Sequence, residues 1–221
     1  MSSGFPSPDG PLGILGGTFD PVHFGHLRLA EEALDALGLD QILWIPAGRP
    51  PHRGRPTASP VDRLAMVRCA LEGHPRFALD DHEVTSDASS YTVTTLERLR
   101  TGPLATRPLV LLLGADAFAG LMSWHRWREL LGLAHVAVAS RQGVDAAVLP
   151  DELSALLARR RGPLAALAGQ PAGRIVQFPM TPLGISASGI RALLRAGRSA
   201  RYLLPESVLD YIARHRLYTA S

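Results

Sequence analysis

A chain of 221 residues with 46% hydrophobic side chains can bury a sizeable core, and its single cysteine excludes a disulfide framework and a cysteine-rich zinc site. Its 23 basic residues are all arginine and exceed the acidic ones by three, a balance that suits small polyanionic substrates and argues against a nucleic-acid surface. No apolar stretch approaches membrane-spanning length, so no membrane partner is expected, and the cysteine usage suits a reducing cytoplasm.

Residues 1–11 are rich in Ser, Gly and Pro and lack the basic start and apolar core of a signal peptide. They are expected to form a flexible tail ahead of a single domain over residues 12–221. Strands are predicted at Leu12–Leu15, Gln41–Ile45, Phe77–Leu79, Leu109–Leu113, His135–Ala139 and Arg174–Phe178. Helical patterns fall between them at His26–Leu37, Val61–Glu72, Thr92–Arg100 and Trp127–Leu131, with Gly38 and Gly73 just past two helix ends. This alternation implies an α/β fold: a Rossmann-like, doubly wound and mainly parallel sheet. Gly143–Gly173 reads as an insertion carrying one helix, Asp151 to Arg161. The part from about Ser186 to Tyr218 reads as a small helical subdomain of two helices, with Pro205 near the start of the second. Nothing in the sequence sets an oligomeric state.

The stretch Gly16-Gly17-Thr18-Phe19-Asp20-Pro21-Val22-His23-Phe24-Gly25-His26 joins the first strand to the first helix. Strand, glycine turn and helix start together present backbone N–H groups to an anion. The two histidines, three residues apart on a first helical turn, add side-chain donors on one face. A lysine-bearing P-loop is excluded because the chain has no lysine, and the GxGxxG fingerprint is absent. The alternative is an ordinary turn whose histidines cap a helix. A second block, Gly184-Ile185-Ser186-Ala187-Ser188-Gly189-Ile190-Arg191, opens a helix over Ile190–Ala196. Its hydroxyls, free N–H groups and guanidinium suit the β- and γ-phosphates of a triphosphate. In a parallel sheet the segments after strands share one end, so Pro46–Arg53, Gly114–Asp116 and Ser140-Arg141 are expected to meet the first block in one cleft.

The first block resembles the HxGH element of the nucleotidylyltransferase superfamily, which shares an ancestral core with class I aminoacyl-tRNA synthetases. The second resembles that superfamily's ISSTxIR element. Ser90-Tyr91-Thr92-Val93-Thr94-Thr95-Leu96, Gly114-Ala115-Asp116-Ala117-Phe118 and Ser123-Trp124-His125-Arg126-Trp127 resemble bacterial nicotinate-nucleotide adenylyltransferases. So do Arg49-Pro50-Pro51-His52-Arg53 and the segment from Pro205 to Tyr218, and the likeness runs from about Leu12 to Tyr218. Arg49 stands where lysine is usual, Thr94 replaces a common acidic residue, and Met122-Ser123 replaces Pro-Thr.

The resemblance implies transfer of the adenylyl group of ATP to nicotinate mononucleotide, giving deamido-NAD and pyrophosphate in NAD biosynthesis. It implies His23, His26 and Arg191 as catalytic residues and Mg²⁺ arriving with ATP, without protein metal ligands. Gly16, Gly17, Thr18, Phe19 and Gly25 would meet ATP and its phosphates, together with Gly114, Asp116, Ser186 and Ser188. Arg49, Tyr91, Thr92, Trp124, His125 and Arg141 would hold the nicotinate nucleotide, with Trp124 stacked on its ring. For Asp116 a ribose contact competes with capping of the next helix, for Tyr91 ring contact competes with packing, and Trp127 reads as core. The other open readings are a transferase for nicotinamide mononucleotide or phosphopantetheine, a non-catalytic nucleotide sensor and, least favoured by the charge, an RNA-binding protein.

Overall fold

The computed structural model describes residues 10–51, 56–141 and 149–219, the side chain of Arg141 excepted. In chain order the elements are β1 (Leu12–Gly17), α1 (Phe24–Leu37), β2 (Gln41–Pro46), α2 (Pro60–Leu71), β3 (Phe77–Leu79), α3 (His82–Thr85), α4 (Thr92–Arg100) and β4 (Leu109–Gly114). They continue with α5 (Ala115–Ala119), α6 (Leu130–Leu133), β5 (His135–Arg141), α7 (Asp151–Arg160), β6 (Ile175–Met180), α8 (Ala187–Arg195) and α9 (Glu206–Arg214).

The strands form one sheet in the order β3-β2-β1-β4-β5-β6, and every pairing is parallel. Successive side chains face opposite layers. Leu15, Trp44, Leu112 and Phe178 join the core beneath α1, α2, α8 and α9, together with Ala30, Met66, Ile190 and Val208. Ile14, Leu43, Leu111 and Val138 join the core on the other face, with Leu96, Phe118, Leu130 and Leu153. Burial on both faces is why the central strands read as unbroken apolar runs. Strand order reverses between β1 and β4, so the crevice at their carboxyl ends is the ligand position of such sheets.

The doubly wound parallel sheet agrees with the sequence expectation. Gly38 takes φ 60° and its N–H reaches the Leu34 carbonyl, ending α1 as a left-handed cap. Gly73, at φ 79°, follows the end of α2. Pro11 is buried and its carbonyl accepts the Asp40 N–H at 3.0 Å, so packed structure begins before Leu12; residues 1–9 of the expected tail lie outside the described residues. The helix expected over Trp127–Leu131 is a 3₁₀ turn at Trp127–Glu129 running into α6. Within Gly143–Gly173, α7 stops one residue early because Arg161 bridges to Ile175; residues 143–148 lie outside the described residues. No helix among the described residues is long and apolar enough to cross a membrane.

Candidate active site

β1 ends at Gly16-Gly17, and Thr18–Val22, with a cis Asp20-Pro21 peptide, leads into α1. Phe19 takes φ 50° and buries its ring, which meets His26 edge-on at 5.0 Å. Its side chain therefore supports the histidines, and only its backbone is left to face a ligand. A Cβ on Gly17 would lie 2.8 Å from the Phe19 ring, so this turn has no room for a side chain there.

His23 is the N-cap of α1. Its Nδ1 accepts the Gly25 N–H at 3.1 Å, while the Nδ1 of His26 accepts the His23 N–H at 3.3 Å. The rings stack, with centroids 3.8 Å apart. The capping reading of the histidines is thus correct, and it fixes their chemistry. A ring whose Nδ1 accepts a backbone proton carries its own proton on Nε2 when neutral. Each histidine thus spends its Nδ1 on the helix, which leaves the proton of the neutral ring on Nε2. Burial lowers the pKa of His23 to about 4, so it is neutral at pH 7. Gly25 is required between them: a Cβ there would sit 2.9 Å from the Cε1 of His23 and 3.6 Å from the Ile185 carbonyl oxygen.

That second distance brings the two sequence blocks together. Ser186 caps α8, its Oγ accepting the Gly189 N–H at 3.1 Å with the Ser188 Oγ 3.2 Å away. Arg191, one turn in, donates from Nη1 to the Asp20 carbonyl at 2.7 Å and lies 3.7 Å from the Asp20 carboxylate.

Three residues without an assigned role in the sequence reading build the floor. Asp20 is buried and accepts N–H groups from Thr57 (2.8 Å) and Ala58 (3.1 Å) and the Tyr218 hydroxyl (2.7 Å). Burial and the Asp20 carboxylate raise the Tyr218 pKa, so the phenol stays protonated. Arg63, fully buried on α2, donates to the carbonyls of Thr18 (2.7 Å), Ala47 (2.6 Å) and Gly48 (2.9 Å). Burial pushes its pKa down, against the opposing pull of the nearby Asp20 carboxylate. The available signal was an arginine in register with the buried Leu64, Met66 and Val67 of its helix.

On the far side of that clasp, the Arg49 N–H donates to the Ser90 Oγ at 3.1 Å and its carbonyl accepts the Ser90 N–H at 3.0 Å. The Arg49 guanidinium pairs with Asp87 at the surface. Tyr91, at the start of α4, packs its ring 4.3 Å from His125. Trp124 beside it is half-buried, whereas Trp127 is buried as core. The structure therefore joins Arg49 to the Tyr91–Thr92 turn, and that turn to Trp124-His125. Gly114 caps α5 without any side-chain cap, and Asp116 is exposed in its first turn. A Cβ on Gly114 would meet no protein atom within 4 Å. Arg141 ends β5; His52 and Arg53 lie outside the described residues.

A model of the cytidylyltransferase-like family matches residues 14–193. A Dechloromonas aromatica (strain RCB) protein named "Probable nicotinate-nucleotide adenylyltransferase" is 59% identical over 96% of this chain and 99% of its own length. The chain belongs to this family of nicotinate-nucleotide adenylyltransferases. A Pseudomonas fluorescens relative of the same name is 50% identical over 95% of this chain and 97% of its own. Among solved structures, Plasmodium falciparum nicotinic acid mononucleotide adenylyltransferase complexed with NaAD superposes with TM-score 0.73 at 15% identity, over 95% of this chain and 97% of that one. A Vibrio parahaemolyticus structure titled as a putative nicotinate-nucleotide adenylyltransferase gives TM-score 0.62, also at 15% identity, over 95% of each chain. These two likenesses bear on the fold, which is the family's doubly wound sheet. Among the described residues no group of three or more His, Cys, Asp or Glu is placed to hold a metal.

Proposed function

We propose that the protein transfers the adenylyl group of ATP to nicotinate mononucleotide, yielding nicotinate adenine dinucleotide and pyrophosphate, within one domain spanning residues 12–221. The observation that supports the reading is the histidine pair capping α1 through Nδ1, next to Gly25, where a Cβ would lie 3.6 Å from the Ile185 carbonyl that precedes the Ser186–Arg191 block.

A 5′-phosphate oxygen of the nicotinate nucleotide attacks the α-phosphorus of ATP in line. The bond from that phosphorus to the α,β-bridging oxygen breaks, and pyrophosphate leaves with the electron pair. The nucleophile is already an anion, so no general base is needed. Catalysis is then positioning and charge stabilisation. His23, neutral at pH 7, and His26 donate to α- and β-phosphate oxygens as charge moves onto them. Backbone at Gly16, Gly17, Thr18 and Phe19 lines the phosphates, and Gly25 leaves them room. Ser186, Ser188 and Arg191 take the departing pyrophosphate. Magnesium comes as part of the Mg·ATP substrate, with phosphate oxygens and water as its ligands. The open space at Gly114 admits the nucleoside, and Asp116 accepts from a ribose hydroxyl.

On the acceptor side, Trp124 stacks on the nicotinate ring, and the N–H groups at Tyr91-Thr92, opening a nine-residue helix, receive its carboxylate. Arg49, His125 and Arg141 complete that bed. Arg49 reaches the nucleotide by leaving its exposed pair with Asp87, a loss of at most about 1 kcal/mol. The soluble substrates fit a cytoplasmic enzyme.

The test is pyrophosphate release from Mg·ATP with nicotinate mononucleotide, run beside nicotinamide mononucleotide and phosphopantetheine. Preference for the nicotinate compound is expected. Preference for either other acceptor would reassign the acceptor bed; ATP binding without turnover on any of the three would make the protein a nucleotide sensor.

A further inference from the structure

We infer that Tyr218 is a positioning residue for the proposed reaction: its hydroxyl fixes the Asp20 carboxylate, and Asp20 in turn aims Arg191. This rests on the adenylyl-transfer reading, because it takes pyrophosphate to be what Arg191 meets.

The segment after α9 turns through two left-handed residues, Arg216 (φ 51°) and Tyr218 (φ 61°), to carry the Tyr218 ring into the core. Such backbone is uncommon away from glycine and marks a position that its surroundings over-determine. Packing alone would be served as well by phenylalanine. What phenylalanine lacks is the hydroxyl, which donates to Asp20 Oδ1 at 2.7 Å. Two main-chain N–H groups, of Thr57 and Ala58, already hold the carboxylate against their loop. The phenol approaches from a different element and adds the third point that stops the carboxylate turning.

Arg191 faces that carboxylate as its counter-ion. Among the described residues its one hydrogen bond is from Nη1 to the Asp20 carbonyl, with Asp20 Oδ2 3.7 Å from the same nitrogen. Its Nε is buried without a partner. The guanidinium thus meets Asp20 at two points, the main-chain carbonyl and, as counter-ion, the carboxylate that Tyr218 holds, and through the second the chain of influence runs from Tyr218 to Asp20 to Arg191.

The experiment is a double-mutant cycle of Tyr218→Phe and Arg191→Ala, read by kcat and KM and by calorimetric binding of inorganic pyrophosphate. Tyr218→Phe is expected to lower kcat and to weaken pyrophosphate binding about 10-fold each, the scale of one hydrogen bond to a charged group, while leaving the KM for nicotinate mononucleotide unchanged. In the Arg191→Ala background it should change either quantity less than about twofold. Equal losses in both backgrounds, or full pyrophosphate affinity in Tyr218→Phe, would overturn the inference. If Tyr218→Phe does not fold, Asp20→Asn takes its place in the cycle, with the same two outcomes. Wild-type protein that binds pyrophosphate but shows no turnover sinks the adenylyl-transfer reading alone, since calorimetry still measures the coupling.

Discussion

His23 and His26 lie face to face, ring planes 26° apart, and each directs its Nδ1 at a main-chain N–H in the first turn of the same helix. The pair is therefore a structural cap through Nδ1, and the donor role proposed for it falls to the other nitrogens.

The two roles separate by substitution. Asparagine at position 23 keeps an N-cap acceptor and loses the outward Nε2–H; alanine loses both. His23→Asn should lower kcat by about 10²–10³, the scale of one lost transition-state donor, while keeping the unfolding midpoint. His23→Ala should match that loss and also cost about 1 kcal/mol of stability. Steady-state kinetics beside urea denaturation checks both; a His23→Asn enzyme with wild-type kcat would remove His23 from the chemistry.

Acid should loosen the same cap. His23 has its pKa lowered to about 4 when folded, against about 6.5 unfolded, so between these values the unfolded chain binds the extra proton. Its contribution is fully present above pH 6.5 and is lost as pH falls toward 4, by about 3 kcal/mol across the window. Denaturation midpoints at pH 7, 5.5 and 4 should fall more steeply for wild type than for His23→Asn. Parallel lines would show that the site does not resist protonation.

Gly25→Ala introduces a methyl carbon 2.9 Å from the His23 ring. The ring must yield, and with it the Nε2–H direction. We expect kcat to fall at least about 10-fold with a modest loss of stability. A fully active Gly25→Ala enzyme would mean that the ring position is not critical.

Arg63→Ala strands three carbonyl groups that now share one buried guanidinium. A loss of about 3–5 kcal/mol is expected in chemical denaturation. Arg63→Lys keeps the charge without the fork and should recover only part of it. Equal stability of Arg63→Lys and wild type would show that charge alone suffices.

Trp124→Ala should raise the KM for nicotinate mononucleotide about 2- to 10-fold, matching one lost ring stack, with the KM for ATP unchanged. A change confined to ATP would move Trp124 to the donor side.

What the sequence made legible follows from how local each signal is. β2 and β4 stood out because burial on both faces leaves no polar interruption in their runs. α3 and α5, at four and five residues, are too short to show a period and went unseen. Gly16–His26 and Ser186–Arg191 were readable because each packs its chemistry into a few consecutive residues. Asp20 and Tyr218, 198 positions apart, meet only through the fold, and no local pattern announces that pairing. Arg63 carries only a weak signal, its register with Met66 and Val67, and the three carbonyls it grips are a tertiary fact.

The grip of Arg63 on Thr18, Ala47 and Gly48 also acts as a ruler. Thr18 belongs to the bed proposed for the donor's phosphates, and Gly48 adjoins the Arg49 loop proposed for the acceptor. On the proposed reading, the gap that an attacking oxygen crosses is set by the one buried guanidinium that joins both loops. A substitution at the exposed Arg49 side chain would therefore leave that spacing in place, whereas one at Arg63 would release both loops.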